Sequence, residues 1–501
     1  MPPIHPPTVS SPRRLLAAAA LLGASLFAAC GGSEPELCAE PLELETLALR
    51  TDGQLFLDAA DRQVLLRGVN AGGRSKFPPY FPFPFAESGY PNQADAEPFD
   101  VELARYTQRI LDWGHNVVRL PFSWEAVEPV RGSYDAVYVD RLVAMAQHAS
   151  DQGLRVVLDF HQDVYARPFC GDGFPLWAIS EPVPEIPDVE DCGNWFSAYL
   201  SSSSRVAQEF ERFWANEDDL QDAFIDMWAH VIQATAEVDG VVAFEMMNEP
   251  FKGSIPAREW VDDILLPLFQ RFADTVQEHR PGATAFIGSE GTDTLTGSTA
   301  LVRPEGDNIG YAPHFYDPII YIFSTSAGRW DPPAILDNYF QTSTSWQVPA
   351  LVGEFGCRTR EARCDEYLRD VYDTMDGYPL HATAWEYSAT VDDWNNEGFG
   401  LVEFGGAELP AANEVVRVYP MAIAGRWGSF SFDRETLGAE LSWTAEAGGI
   451  TELSAPARLY PRGPSVQFEE GRGCASWDQA SQRLVVRTDA AGATRIRLSA
   501  R

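Results

Sequence analysis

Two short stretches of the chain decide its fold: FEMMNEP at residues 244–250 and LVGEFG at residues 351–356. Each contains an apolar run typical of a buried strand and then a glutamate, Glu249 in the first stretch and Glu354 in the second. A (β/α)8 barrel carries its functional side chains at the C-terminal ends of its parallel strands. The two stretches therefore predict two strands of such a barrel, with two carboxylates at its mouth.

Similar apolar runs recur along the chain, separated by amphipathic stretches typical of helices. Strands that alternate with helices indicate parallel βαβ units, and eight of them favour closure into a barrel. A doubly wound dinucleotide-binding sheet is disfavoured because no GxGxxG turn follows the first run. The predicted strands are 64–73, 117–124, 155–163, 241–250, 283–290, 309–316, 350–356 and 381–388.

The sequence pattern changes after Tyr419-Pro420, where short runs of residues typical of β-strands alternate with turns that contain Gly and Asp. This pattern predicts a small antiparallel β-sandwich. The predicted fold is therefore an α/β (β/α)8 barrel followed by a C-terminal antiparallel β-sandwich. The predicted segments are a signal peptide at 1–30, a linker at 31–45, the barrel at 46–424 and the sandwich at 425–501.

Two predicted connections are unusually long, at residues 77–98 and 165–204, and both follow predicted barrel strands. Loops of this length inside a compact domain are usually functional. Both are rich in aromatic residues and proline, so we expect them to line an apolar approach to the site. The net charge of -36 argues against nucleic acid as a partner, because no basic surface offsets phosphate repulsion.

The N-terminus has the pattern of an export signal. Arg13 and Arg14 precede an apolar run at 15–29, which is too short to span a bilayer comfortably. The sequence Ala28-Ala29-Cys30 then resembles a bacterial lipoprotein signal, in which Cys30 becomes the lipidated N-terminus. We therefore expect an exported, membrane-anchored lipoprotein of a bacterial cell envelope; ordinary secretion with cleavage nearby is the alternative.

The seven cysteines of the chain agree with export. If Cys30 carries lipid, six remain and allow fifteen disulfide pairings in principle. Short loops favour the pairs Cys170–Cys192 and Cys357–Cys364, which leaves Cys38–Cys474 by elimination. A zinc site is disfavoured because the CxxC spacing is absent.

Two carboxylates at a barrel mouth are what glycoside cleavage requires, since it needs a proton donor and a carboxylate at the anomeric carbon. We assign Glu249 as the acid/base and Glu354 as the nucleophile, so their surroundings must push their pKa values apart. The amide of Asn248 is placed to bond the sugar 2-hydroxyl. Arg119, at the end of the second predicted strand, is placed to keep Glu354 charged.

Two aromatic residues complete this predicted site. Tyr316, in HFY at 314–316, is placed to hydrogen-bond the nucleophile. Trp385, at the end of the eighth strand, is placed to form the floor under the reacting sugar. For a retaining mechanism we expect the two carboxyl groups to lie about 5–5.5 Å apart, whereas a separation near ~8 Å implies inversion.

Three motifs carry a family resemblance: LDFHQDVY at 158–165, MNEPF at 247–251 and RVYPMAIAG at 417–425. On these motifs the chain resembles glycoside hydrolase family 5 of clan A, and within it the endoglycoceramidases. The resemblance implies cleavage between ceramide and the adjoining sugar of a glycosphingolipid, with retention. It further implies that His161 and Asp163 bind hydroxyls of that sugar and that Lys76 reaches a neighbouring one.

The residues themselves leave other interpretations open. His161 and Asp163 lie two apart on a strand and share a face, so with His314 they are a candidate metal site, or they form a structural pair. We expect sugar binding, with His314 in the substrate-binding set, because this chemistry needs no metal and no cofactor. We also expect a monomer that meets a glycolipid substrate at a membrane.

Two functional alternatives accompany this interpretation. Another family 5 β-glycosidase, acting on β-glucans, steryl glucosides or galactosylceramide, would show an open polar cleft or a galactose-only pocket. A catalytically idle carbohydrate-binding lipoprotein is disfavoured by the intact Asn248, Glu249 and Glu354.

Overall fold

The computed structural model describes Cys38 and residues 40–90, 95–193, 195–288, 290, 297–317, 332–361, 363–389, 397–403 and 405–501. The predicted signal peptide, Cys30 and most of the predicted linker lie outside these residues, so those assignments stay predictions. Among the described residues, no helix combines the length and the apolarity that crossing a membrane requires.

Strands are numbered along the described part of the chain. The first thirteen are β1 Arg50–Asp52, β2 Leu55–Leu57, β3 Gln63–Val64, β4 Arg67–Asn70, β5 Val117–Phe122, β6 Arg155–Phe160, β7 Val241–Glu245, β8 Thr284–Gly288, β9 Ile309–Ala312, β10 His314–Phe315, β11 Leu351–Val352, β12 Glu354–Phe355 and β13 His381–Ala384. The remainder are β14 Tyr419–Ile423, β15 Gly425–Asp433, β16 Gly438–Ala445, β17 Ile450–Ser454, β18 Ser465–Glu470, β19 Gly473–Asp478, β20 Arg483–Thr488 and β21 Gly492–Ser499.

The predicted barrel is confirmed. Parallel strands pair in the order β11-β13-β4-β5-β6-β7-β8-β9. The ring closes where Tyr311 of β9 bridges Ala350 and where β10 pairs in parallel with β12. Nearly every residue of these strands is buried, as expected for parallel strands covered on both faces. The C-terminal ends of all these strands consequently meet at one mouth.

Helices connect the barrel strands and cover the outside of the barrel. The helix at 205–214 shows why these segments fold this way: the hydroxyl of Ser204 accepts from Ala207 N, and Val206, Phe210 and Phe213 recur on one buried face. The helices are α1 Phe99–Asp112, α2 Trp124–Val127, α3 Ala136–Asp151, α4 Arg205–Trp214, α5 Leu220–Ala234, α6 Ala257–Glu259, α7 Leu266–His279, α8 Pro332–Trp346, α9 Cys364–Met375 and α10 Ala412–Val415.

The antiparallel domain has two sheets, in the orders β1-β2-β3-β14-β17-β20-β19 and β15-β16-β21-β18. Its larger sheet starts before residue 425, because β14 belongs to it. It also includes β1–β3, from a segment that the sequence assigned to the barrel domain. The reason is pairing: β3 covers the edge of β14 through Ala422 opposite Val64 and Ile423 opposite Gln63. Barrel and sandwich together form one compact unit, Cys38–Arg501.

The predicted disulfide pairing is confirmed. Within the described residues, bonds join Cys38 to Cys474, Cys170 to Cys192, and Cys357 to Cys364. The first ties the N-terminal segment to β19. The second closes part of the long connection after β6, and the third closes the turn between β12 and α9. Two of the three bonds thus restrain loops that leave the barrel mouth.

Candidate active site

Arg119 stands at the centre of the barrel mouth and is fully buried. Its Nε and Nη2 donate to the two carboxylate oxygens of Glu245, at 2.8 and 2.9 Å. Its Nη1 donates to Glu354 Oε1 at 2.8 Å and to Asn70 Oδ1 at 2.9 Å. Its Nη2 also donates to Asn248 Oδ1 at 3.1 Å. From β5, one guanidinium therefore joins residues that lie in, or shortly after, strands β4, β7 and β12.

The charges around Arg119 determine the protonation of this centre. Burial by itself would lower the pKa of Arg119, but Asp159, Glu245 and Glu354 raise it well above its ordinary value. Burial would raise the pKa of Glu354, yet His314, Arg119 and other cations hold it below its usual range. Burial likewise opposes ionisation of Glu245, and Arg119 and His314 bring its pKa to about 2. Glu354 is therefore an anion at neutral pH.

Glu249 follows β7 in a strained conformation, with a φ of 37°. Gln162 holds this turn in place, because its Nε2 donates to the backbone oxygens of Asn248 and Glu249 at 2.8 and 2.9 Å. Asn248 in turn donates from Nδ2 to Gln162 O at 3.1 Å. Backbone strain of this kind persists when surrounding bonds overdetermine it, and here it directs the Glu249 carboxylate into the mouth.

His314 lies between the two candidate carboxylates. Its Nδ1 is 2.9 Å from Glu249 Oε1 and 3.6 Å from Glu354 Oε2. One nitrogen of His314 and one oxygen from each glutamate all lie within 4.8 Å of one another. Burial alone would lower the pKa of His314, but Glu354, Glu245 and Glu249 raise it to about 10. Tyr316 completes the group, since its hydroxyl donates to Glu354 Oε2 at 2.8 Å.

A second polar group surrounds Trp385, which follows β13. The ring of His161 stacks on the Trp385 ring with centroids 5.1 Å apart and planes inclined by 12°. Lys76 Nζ lies 4.4 Å from the centroid of the same ring and donates to Asp163 Oδ2 at 2.7 Å. Trp385 Nε1 donates to Glu397 Oε2 at 3.2 Å. The structure thus brings His161, Asp163, Lys76 and Trp385 together, as the sequence predicted.

His314 does not join His161 and Asp163, so the suggested metal set of these three is wrong. The structure shows instead two separate groups whose candidate ligand atoms lie within 4.8 Å of one another: His161 with Asp163 and Asp172, and His314 with Glu249 and Glu354. A cation already contacts each group. Lys76 pairs with Asp163, and Arg119 pairs with Glu354. Both positive charges oppose a metal ion, so the geometry favours ion pairing.

Sequence reasoning missed several members of the site. Glu245 and Asp159 are fully buried within β7 and β6, and both contact Arg119. Their signal was present, because an acidic residue inside an apolar strand requires a buried cation as partner. Asn70, which accepts from Arg119, and Glu397, beside Trp385, carried no such signal.

The two long connections differ from expectation in one respect. The aromatics of the first one, Phe81, Phe83 and Phe85, are buried and pack with Phe99 at the start of α1 instead of lining the mouth. They became core because α1 and α3 leave apolar surface there to cover.

The second connection does place aromatic rings near Glu249. The ring centroid of Tyr199 is 4.9 Å from that of Phe251, two residues after Glu249. Trp195 and Phe196 pack against Tyr199 edge to face, at 6.3 and 6.0 Å. The rings of Trp195, Phe196 and Tyr199 are half-buried. These four residues, called below the aromatic wall, form a partly open apolar surface beside the acid/base candidate.

We predict that Arg119→Met destabilises the protein by about 3–5 kcal/mol, because it leaves Glu245 and Glu354 buried without their cation. The loss should be smaller at pH 5 than at pH 7, since protonation of the carboxylates removes the unpaired charge. Denaturant unfolding at both pH values measures this. Arg50→Met is the matched control: it removes an exposed pair with Asp61 and should cost no more than about 1 kcal/mol. Equal losses for both variants would contradict the central role of Arg119.

Comparison with known proteins identifies the family. The family model for cellulase (glycosyl hydrolase family 5) matches residues 83–391, and the model for the glycoside hydrolase family 5 C-terminal domain matches residues 417–498. The first covers most of the barrel with the candidate site, and the second covers β14 to β21.

Among sequence relatives, endoglycoceramidase I of Rhodococcus hoagii is 27% identical over 461 residues, which are 85% of this chain and 83% of that protein. An endoglycoceramidase of Cyanea nozakii is 28% identical over 228 residues, so the match spans 42% of each protein. Partial matches extend to fungal glucosylceramidases.

Among solved structures, endo-glycoceramidase II from Rhodococcus sp. in a five-membered iminocyclitol complex superposes with a TM-score of 0.70 at 25% identity. The superposition covers 89% of this chain and 99% of that one. The chain therefore belongs to glycosyl hydrolase family 5, and the protein is a glycoside hydrolase.

Proposed function

We propose that this protein is a retaining β-glycosidase that cleaves the bond between glycan and ceramide in glycosphingolipids. The observation that carries the retaining mechanism is the close approach of the two glutamates, since one carboxylate oxygen of Glu249 lies within 4.8 Å of one of Glu354. Retaining enzymes hold their carboxyl groups about 5–5.5 Å apart, whereas inverting enzymes leave about 6.5–9.5 Å for a water molecule. The glycolipid substrate is supported by the matches to endoglycoceramidases along most of the chain.

In the first step of this mechanism, Glu354 attacks the anomeric carbon while Glu249 gives its proton to the ceramide oxygen, so ceramide leaves as an alcohol. Arg119 and Tyr316 keep Glu354 anionic and aimed, through bonds to Oε1 and Oε2 respectively. In the second step Glu249 takes a proton from water. The resulting hydroxide attacks the glycosyl carbon, breaks its bond to Glu354 and releases the glycan with its original configuration.

His314 serves both steps of this cycle. Its Nδ1 fixes one oxygen of Glu249, which leaves the other free to exchange the proton with the leaving oxygen or with water. Since His314 is cationic, it also stabilises the negative charge that returns to Glu249 after the proton is given.

The sugar that reacts is placed over Trp385, with its hydroxyls directed at His161, Asp163 and Lys76. These three are buried and charged, and Asn248 precedes Glu249, where its amide can bond the 2-hydroxyl. The aromatic wall lies beside Glu249, from which the leaving oxygen takes its proton, and the Tyr199 hydroxyl of the wall also accepts from Val164 N at 2.6 Å. An apolar surface at that place suits a lipid aglycone better than a second sugar.

A glucosylceramidase is the second candidate, because partial matches to two such enzymes cover 26% and 54% of this chain. It would share every residue above and would differ in how many sugars the glycone side accepts.

We further propose export to the bacterial cell envelope with a lipid on Cys30, and a monomeric enzyme that meets its substrate at a membrane. The disulfides support export, because such bonds form and persist in oxidising compartments.

Glu354→Ser should abolish hydrolysis of a nitrophenyl β-glucoside while the variant still binds the sugar, since the nucleophile is gone and the sugar contacts remain. The matched control is Glu278→Gln on the exposed face of α7, which should keep full activity. Retained hydrolysis by Glu354→Ser would refute the nucleophile assignment.

Glu249→Ala should slow the release of an alkyl leaving group by about 10²–10⁴-fold, and that of nitrophenol much less, because only the alkyl oxygen needs the proton. Added azide should restore turnover of the nitrophenyl substrate and give a β-glycosyl azide, identified by NMR. An α-glycosyl azide from this variant would exclude retention with Glu249 as acid/base.

The substrate class is tested with glucosyl-, lactosyl-, galactosyl- and ganglioside-type ceramides presented in detergent. We expect free ceramide and an intact oligosaccharide from the lactosyl or ganglioside lipid, detected by mass spectrometry. Release from glucosylceramide alone would favour the glucosylceramidase. Hydrolysis of a soluble β-glucan or a steryl glucoside with no action on any ceramide would overturn the proposal.

The anchor is tested by growing cells that make the protein with an alkyne fatty acid. We expect label on the wild type and none on Cys30→Ser, with Cys38→Ser as the control that keeps the label. An unlabelled wild type recovered from the medium would favour ordinary secretion.

A further inference from the structure

Asp172 is a buried acid for which the mechanism above has no use. It lies in CGDGFP at residues 170–175, in the connection after β6, and no part of it reaches solvent. Neither of its carboxylate oxygens has a hydrogen-bond partner among the described residues. A buried polar group left unpaired costs about 1–3 kcal/mol. A cost of this size, next to a sugar-binding group, calls for a functional explanation.

The backbone is built to bring Asp172 to this place. Asp172 N donates to Asp163 O at 2.9 Å, and the two residues form an antiparallel bridge. A Cβ on Gly171 would lie 1.9 Å from Asp163 O, and one on Gly173 would lie 2.6 Å from His161 O. Gly173 also has a φ of +102°. Both flanking positions therefore require glycine, which lets the loop lie directly against the 161–164 segment.

The charges around Asp172 explain why it keeps its proton. The titratable groups that face it are Asp163 and His161 after β6, Lys76 in the turn Gly73–Lys76, and Glu397 after β13. Burial and then the charge of Asp163 raise the pKa of Asp172 well above its ordinary value. Burial opposes ionisation of Asp163 too, but Lys76 and His161 bring its pKa to about 2. The pair therefore divides into one anion, Asp163, and one neutral acid, Asp172.

We propose that Asp172 is a positioning residue of the glycone site, which acts through Asp163. As a neutral acid within 4.8 Å of Asp163 and His161, it leaves Asp163 as the anion nearest to Lys76, at 2.7 Å, with Glu397 farther away at 3.9 Å. When Asp172 loses its proton, a further negative charge competes with Asp163 for Lys76, and the hold of Lys76 on Asp163 weakens. Glycan binding then weakens.

This inference rests on the proposed role of Asp163 in sugar binding, and it predicts that KM depends on Asp172 at alkaline pH. Asp172→Asn has nearly the shape of the neutral acid and keeps a group that can donate a hydrogen bond, but it has no proton to lose. In the wild type, KM for a nitrophenyl β-glucoside should rise with alkaline pH while kcat changes less. In Asp172→Asn, KM should stay low to a pH at least one unit higher, with kcat at neutral pH within about threefold of the wild type.

Two further variants distinguish the titration of Asp172 from that of other buried acids. Glu397→Gln removes a neighbour whose pKa burial raises to about 7, so it should change the profile near neutrality and leave the alkaline rise in KM in place. Asp376→Asn removes another buried acid, which pairs with Arg417 instead of Lys76, and its profile should equal that of the wild type. Identical alkaline KM profiles for the wild type and Asp172→Asn would overturn the proposal.

An infrared titration of the wild type gives a second test that does not depend on how the variant folds. The C=O stretch of a protonated carboxyl group should disappear over the same alkaline range in which KM rises, and it should do so in Asp376→Asn and Glu397→Gln as well. If no such band disappears in that pH range, the proposal is overturned. Failure to release ceramide, with aryl glucoside still hydrolysed, would count against the lipid substrate and leave this test unaffected.

Discussion

The buried guanidinium of Arg119 is the interaction on which the rest of the site depends. Arginine has five N–H donors, and here they make five hydrogen bonds, to Glu245, Glu354, Asn70 and Asn248. A planar cation with fixed donors suits this position better than lysine, because it can hold one carboxylate with two bonds and still reach a second. The nucleophile candidate is thereby oriented by the same group that keeps it ionised.

This arrangement separates two duties that both require negative charge. Around Arg119 the anion is Glu354, which must attack carbon, so it is held by a cation that cannot lose its proton. Around Lys76 the anion is Asp163, which must accept from hydroxyls, so it needs only a compact point charge beside it. Trp385 lies at the boundary of the two groups, with His161 and Lys76 against its ring.

Much of the barrel and of its active site could be predicted from the sequence, because each barrel strand has a recognisable local pattern of apolar residues. Apolar runs before Glu249 and Glu354 indicated the strand positions and the common mouth, and short loops pointed to the cysteine pairs. Arg119 was predicted at a strand end, but it lies inside β5, which continues to Phe122. The prediction that two glutamates face each other followed from topology alone, since parallel strands end together.

Other features depend on contacts between distant segments and left no local trace. The pairing of β3 with β14 joins residues more than three hundred apart, so the edge of the sandwich could not be assigned from either segment. Phe81, Phe83 and Phe85 look like a binding loop until α1 is seen beneath them. A role for Asp172 can be inferred only from the structure, in which Gly171 and Gly173 let the loop place it beside Asp163.

The β-sandwich belongs to the support of the site, although it contributes no residue to the mouth. β3 ends at Val64 and β4 begins at Arg67, so the sheet of the sandwich continues almost directly into the first barrel strand. Between them, Leu65 N donates to Met421 O of β14 at 3.1 Å. Asn70 lies three residues after Arg67 in β4, and its Oδ1 accepts from Arg119. A shift of the sandwich against the barrel would therefore move β4 and Asn70. Because Asn70 and Glu354 both accept from Arg119, the movement would also change the orientation of the nucleophile.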